Sequence, residues 1–311
     1  MFVAVLFILI LFPYEAQQGA MEGLKVAFET VTVAILPFAV VSGALVYTGF
    51  PKVLGNLCAP LFNRLHLHPY GATAFIMGLL GGYPTGCKLG CEMYGEGLIN
   101  KEECEKIIAY TNNGGLVFAL NVCGGAMFES KEAGVVIFAS AAVGAFITGL
   151  FMSRGNYSIN VAESKKLPTF TALGKSLGAG GSIILNIAAS FIVFYAVANA
   201  LGLHRVPFIE GIFEMTKGIA YAAKIKSVPM GAFFFSLGGA GVFAQCAAIC
   251  SEYDVSLKKY VAGKLLQSVI AFALAYLICN RPYFGKDILV FSFFALLAVV
   301  FSAKAIKKLC T

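Results

Sequence analysis

Charge is what this chain has least of. Only 13% of its 311 residues are Asp, Glu, Lys or Arg, and it holds three histidines. So little charge, set against 59% hydrophobic residues and a mean hydropathy of +0.82, would not keep a soluble domain of this size in solution. The composition is that of a multi-spanning membrane protein. Gly/Ser-rich linkers, Pro-rich linkers and low-complexity tracts are missing as well, which excludes a soluble head on a membrane anchor and leaves one integral domain. There is no P-loop and no room for a nucleotide-binding domain. Zincin motifs and nucleophile elbows are also absent, so neither an enzymatic activity nor a cofactor is expected.

The cationic excess, +7 at pH 7, is dispersed over short loops. That is the habit of residues flanking membrane helices rather than of a nucleic-acid surface. Nine cysteines form no zinc-ribbon spacing and are an odd number for a disulfide scaffold. Two Cys-x-x-x-Cys pairs, 87/91 and 246/250, would make a soft-metal site only if four thiolates met; beside glycines they read first as small packing residues, and no metal is assigned.

What the chain does have is interrupted apolar segments. Residues 1 to 12 form an apolar run that reads as a retained first helix, extending to about Ala16, in preference to a cleaved signal peptide. Residues 26 to 48 form a span with a kink expected at Pro37. Residues 52 to 68 suit an amphipathic helix in the interface, with His66 and His68 interfacial. The apolar run from Tyr70 to Leu80 is too short to cross a core of about 30 Å at about 1.5 Å per residue. It meets Gly81, Gly82, Pro84 and Gly86 and returns to about Gly97, a re-entrant hairpin. Asn100 and Glu103 make a capping box for a helix that breaks at Asn112-Asn113-Gly114-Gly115 and resumes at Leu116.

Residues 133 to 152 span, 153 to 175 form a polar connector, and a second half runs from 176 to 303 against a first half of 26 to 152. In the second half come a span to Leu203, an amphipathic stretch to Lys226, a hairpin over 230 to 253 broken at Gly238-Gly239-Ala240-Gly241, a long helix 257 to 279 and a last span from 288. A shift of 159 residues lays Gly82, Cys87, Cys91, Tyr94 and Leu98 on Gly241, Cys246, Cys250, Tyr253 and Leu257. Three crossings between the hairpins would invert the second half, predicting an all-α inverted-repeat transporter fold with Gly95 and Asp254 on opposite faces. Lys and Arg then divide ten against twelve between the two sides, with Lys264 counted among the loop charges.

Broken helices at membrane depth must be buried in protein or line a cavity, and ionisable groups there cost roughly 2.5 to 3.5 kcal/mol. The candidate binding residues are therefore Gly82, Tyr83, Pro84, Thr85, Gly86, Lys88 and Glu92 at the first break, Asn112, Asn113 and Gly115 at the second, and Gly241 and Gln245 at the third. Lys88 and Glu92, four apart, share a helix face. A half-helix starting near Pro84 aims its free N–H groups and positive dipole end at the break, which suits an anion. The Asn and Gln amides both donate and accept. Lys88, Asn112, Asn113 and the Gly241 to Gln245 segment are expected to face one cavity.

The run Gly-Gly-Tyr-Pro-Thr-Gly-Cys-Lys at 81 to 88, together with Tyr110-Thr-Asn-Asn-Gly-Gly-Leu-Val-Phe118, resembles the nucleoside-recognition or Gate-domain family, in particular sporulation integral membrane proteins of the YlbJ/SpoVV type. Gly82, Tyr83, Pro84, Gly86 and Lys88 match the family's Gly-Tyr-Pro-x-Gly-x-Lys pattern. Asn112, Asn113, Gly115 and Phe118 match its Asn-Asn-x-Gly-Pro-x-Phe pattern, with Leu116 in place of Pro. The resemblance implies a spore-former's cell membrane, including one around the forespore, and transport of dipicolinate or another small anionic solute. Alternatives are a nucleoside permease, a ferrous-iron or other metal permease, and a non-transporting scaffold for spore formation. The expected partners are a small-molecule solute, membrane lipids and, for a secondary transporter, a coupling ion, with no nucleic acid; the residues specify no oligomeric state.

Overall fold

The computed structural model describes residues 2–48, 50–152 and 167–280. Most of the connector and the last span expected from 288 lie outside them. Every regular element among the described residues is helical. Helices α1 (Phe2–Leu11) and α2 (Pro13–Lys25) bend by 101° at their junction, where Pro13 lacks the N–H that would continue α1. A π-helical segment, Val26–Thr32, leads into α3 (Val33–Tyr47), with Pro37 inside it, and α4 (Phe50–Arg64) follows.

Then come α5 (Pro69–Gly81), α6 (Thr85–Gly95) and α7 (Lys101–Thr111), with a second π-helical segment at Phe118–Met127. The capping box at Asn100 is present: its side chain accepts from Glu103 N at 2.9 Å, and Glu103 accepts from Asn100 N at 2.8 Å. His68 lies inside the protein, at the head of α5. It is buried as the N-cap of α5, its Nδ1 accepting from Tyr70 N, because a helix start packed inside protein needs an internal acceptor. Burial lowers its pKa against the opposing pull of Glu103.

The long helices are α8 (Lys131–Met152), α9 (Thr169–Ala200) and α14 (Lys258–Asn280), with α10 (Pro207–Phe213), α11 (Met215–Lys224), α12 (Val228–Leu237) and α13 (Gly239–Glu252) between the last two. Helix α9 starts seven residues before the expected Ser176, so the connector's end is helical. Four helices among the described residues are long and apolar enough to cross a membrane: 131–152, 169–200, 228–252 and 258–280; the bent α1–α2 pair would make a fifth. Their outward faces are apolar. Val261, Leu265, Val269 and Tyr276 form one exposed stripe along α14, suited to lipid.

Two expectations change here. Helices α12 and α13 follow one another across Gly238 as one 25-residue span rather than turning back as a hairpin. Gly238 and Gly239 both take positive φ, 77° and 76°, which breaks the hydrogen-bond ladder without reversing the chain. The repeated segments are consequently parallel and not inverted. The end of α6 meets the end of α13, where a Cβ on Gly95 would touch the Tyr253 ring, and Lys101 at the start of α7 bonds Asp254 at 2.8 Å. Further along, Lys259 pairs with Glu105 at 3.2 Å and Gly263 packs on the Ala109 carbonyl, so α7 and α14 also run side by side in one direction.

Candidate functional site

The first break is built around the carbonyl of Thr111. Gly82 caps α5 with φ 74°, and α6 begins after Pro84. Gly78 of α5 and Gly86 of α6 both press on the Thr111 carbonyl, where any Cβ would collide with it. Glycine at these two positions is therefore what lets α5, α6 and the end of α7 converge. Gly82 and Gly115 lie backbone to backbone, and the Tyr83 hydroxyl donates to the carbonyls of Phe235 and Ser236 near the α12–α13 junction, each at 3.1 Å.

From this crossing the candidate residues separate into two groups. Asn112 and Asn113 are fully buried and face α14, not a cavity shared with Lys88. Asn112 Nδ2 donates to Tyr260 OH at 3.2 Å and Cys246 Sγ at 3.0 Å, while its Oδ1 accepts from Cys87 N at 3.3 Å. The α6 terminus is thus capped by Asn112, and its dipole is answered before any anion arrives. Lys264 Nζ donates to Asn112 O at 3.0 Å and Gln267 Oε1 at 2.7 Å, and lies 5.0 Å from the Tyr83 ring centroid. Gln267 Nε2 in turn donates to Asn113 Oδ1 at 2.8 Å and Ala141 O at 3.1 Å. This network closes the broken helix by supplying the partners that its open carbonyls lack.

Lys264, 3% exposed, thus lies in the interior and is not a loop charge. The available signal was Lys264 and Gln267 three apart inside an apolar span, hence on one face.

The second group lines a cleft of about 630 Å3 between α6, α9 and α13. Pro84, Lys88 and Glu92 border it on one side, Gln245 and Glu252 on another, with Asn186 of α9 opposite. Lys88 Nζ and Glu92 Oε1 are 3.9 Å apart and both side chains are about one-third exposed. Gln245 also borders a small void of about 40 Å3 lined by Gly82, Tyr83, Gly115 and Phe118, so it stands between the cleft and the helix break. Its Oε1 is buried and has no hydrogen-bond partner. Thr85 sits against Gly81, and the Gly241 carbonyl accepts from Ser190 Oγ at 3.3 Å. Asn186 and Ser190 were not singled out from the sequence, since a polar residue every few positions along a 32-residue helix has no spacing that marks it.

Beyond the cleft, a charged cluster fastens the segment between spans α9 and α12. Lys217 bonds Glu22 of α2 at 2.7 Å, approaches Glu210 at 3.4 Å and covers the Tyr195 ring at 4.5 Å. Glu214, the N-cap of α11, accepts from Thr216 N, Lys217 N and the Thr216 hydroxyl, which is itself bonded to Tyr195 OH. Burial outweighs these bonds and pushes the Glu214 carboxyl from the usual 4.5 up to about 7. The native state therefore binds this proton more tightly than the unfolded chain. Its stability is fullest below pH 4.5 and falls as pH rises through about 7. Glu214→Gln is expected to flatten that fall, by about 2 to 3 kcal/mol at most. Melting temperatures of wild type and variant in detergent at pH 5 and pH 8 check it: the two curves converge at low pH and separate at high pH, with the variant the more stable.

A bundle of apolar helices with broken segments, an internal lysine and a side cleft defines an all-α, multi-pass integral membrane protein. The chain is 24% identical, over 87% of its own length and 79% of the relative's, to the sporulation integral membrane protein YlbJ of Bacillus subtilis (strain 168). The similarity runs along most of both chains. No family model matches the chain, and no solved structure matches it.

Proposed function

We propose that this protein carries a small polar solute with an anionic group, such as the pyridine dicarboxylate dipicolinate, across a membrane of a sporulating cell, binding it in the cleft between α6, α9 and α13. The observation that carries this reading is Gln245, whose buried Oε1 lacks a partner in a cleft that also holds Lys88. A buried acceptor left unpaired costs about 1 to 3 kcal/mol, and a bound solute or its water removes that cost. The cleft volume, about 630 Å3, lies within the roughly 300 to 1,000 Å3 usual for small-molecule sites.

Lys88 is the cleft's cation, and at 3.9 Å from Glu92 it is held by charge without a hydrogen bond. A solute carboxylate can therefore replace Glu92 as its partner. Glu92 and Glu252 set two carboxylates against this one ammonium, so a bound anion is held by a single cation, which favours release as well as entry. Gln245 then lies on the way from the cleft to the void at the helix break, the natural place for a gate in a secondary transporter.

In proteoliposomes, uptake of labelled dipicolinate is expected for the wild type and at least a tenfold lower rate for Lys88→Ala, with insertion and abundance unchanged. Uptake of a nucleoside in its place would move the substrate class. Failure of dipicolinate, nucleosides and metal ions alike in correctly inserted protein would leave the scaffold reading. Spore dipicolinate content in a strain whose sole copy is Lys88→Ala gives the same answer in the cell.

A further inference from the structure

The parallel register of α6 and α13 has brought cysteines from both repeats to one point. Cys87, Cys91 and Cys250 are all buried, and their three sulfur atoms lie within 4.8 Å of one another. Cys87 Sγ is 3.6 Å and Cys91 Sγ 3.8 Å from Cys250 Sγ. Cys246 adjoins Cys87 as a fourth sulfur. From the geometry we infer that these thiols form a binding site for a soft d10 cation, Zn2+ or Cu+, held by Cys87, Cys91 and Cys250 with Cys246 beside them.

Three physical points support the site. A tetrahedral zinc centre with Zn–S bonds of about 2.3 Å has sulfurs about 3.8 Å apart, and the separations of Cys87 and Cys91 from Cys250, 3.6 and 3.8 Å, already match that spacing. A disulfide, by contrast, needs about 2.05 Å between sulfurs. The donor set contains only sulfur, which selects soft or borderline cations over Mg2+ and Ca2+.

The surroundings fit a metal-thiolate centre as well. Three thiolates and a divalent cation leave one negative charge, and two thiolates with Cu+ leave the same. The Asn112 amide donates to Cys246 Sγ at 3.0 Å, the kind of outer hydrogen bond that steadies a thiolate. Lys264 Nζ donates to the backbone carbonyl of that same asparagine at 3.0 Å, so the asparagine that reaches the sulfur is itself held in place. Other buried cysteines, Cys58, Cys104 and Cys123, are outside this cluster. If small size were all that α6 and α13 required, sulfur would not be needed at facing positions of both helices.

This inference is independent of the solute reading, and its test uses the full-length protein in detergent without any transport step. Protein reduced and stripped of metal under anaerobic conditions is titrated with Zn2+ or Cu+ against a competing chelator, and with Co2+ as a spectroscopic probe of thiolate ligation. The expected results are one ion per chain, release of the thiol protons as metal binds, and intense thiolate-to-cobalt charge-transfer absorption. Cys250→Ser should weaken binding at least 100-fold, whereas Cys123→Ser and Lys88→Ala should bind as wild type does. Should Cys250→Ser fail to fold, Cys91→Ser serves in its place, and the wild-type cobalt spectrum remains decisive by itself. Absence of the charge-transfer band in wild type, or stoichiometric binding that survives Cys87→Ser combined with Cys250→Ser, overturns the site.

Discussion

Gly86→Val is expected to yield protein that reaches the membrane but does not hold its fold, with no monodisperse species recovered in detergent. The added Cβ would collide with the Thr111 carbonyl and stand 2.7 Å from Asn112 Cα, so the obstruction is backbone and has no rotamer to retreat into. Overpacking in a core that can yield costs about 1 to 3 kcal/mol, and here the yielding elements are the ends of two broken helices, so a loss above about 4 kcal/mol is expected. Even Gly86→Ala should lower the melting temperature strongly, and Gly78→Ala, meeting the same carbonyl from α5, should behave alike. Gly178→Ala is the control. Nothing lies within 4 Å of a Cβ there, so that change should leave the melting temperature the same or slightly higher. A Gly86→Ala protein as stable as the Gly178→Ala protein would refute the wedge around Thr111.

Lys264→Met is expected to be nearly as damaging, through lost hydrogen bonds and not through bulk. Its Nζ satisfies Asn112 O and Gln267 Oε1, and both acceptors belong to fully buried residues. Removing the donor orphans each at about 1 to 3 kcal/mol, offset in part because the cost of burying Nζ disappears as well. A net loss of about 2 to 4 kcal/mol is expected, because the open carbonyls of the break at Asn112 lose the partner that satisfies them. The cycle with Gln267→Met isolates the cause. If the orphaned Oε1 is responsible, the double variant loses less than the sum of the two single losses, with a coupling of about 1 kcal/mol or more. Strict additivity of the two melting-temperature changes would rule out the direct bond as the source.

These two residues also mark how differently the parts of the molecule could be read. The glycines at 82 and 86, the Asn112 to Gly115 break and the Asn100 capping box follow from residue chemistry over a few positions, and they stand where local rules place them. The repeat at a shift of 159 is equally local information, and the structure realises it as physical contact: Cys91 beside Cys250 and Gly95 beside Tyr253. Lys264 is different. Beside Lys258 and Lys259 it has the look of another interfacial lysine, and only the arrival of Asn112, 152 residues earlier in the chain, turns it into a buried donor.

What the amino acids alone determined is which segments are helical, which are apolar enough for lipid, and where each helix must break, because those properties depend on side-chain hydrophobicity, on missing N–H groups and on glycine's freedom within one or two turns. Direction was decided by the tertiary structure. A glycine pair such as Gly238-Gly239 permits both a reversal and a continuation, and hydropathy is the same whichever way a helix runs, so parallel and inverted repeats share one pattern until packing chooses between them. That choice separated Lys88 from Asn112, because the side chain of Asn112 was taken up by α6, α13 and α14 while Lys88 was left facing the cleft. It also set three sulfurs together, since parallel helices in register carry Cys87 and Cys91 to Cys250.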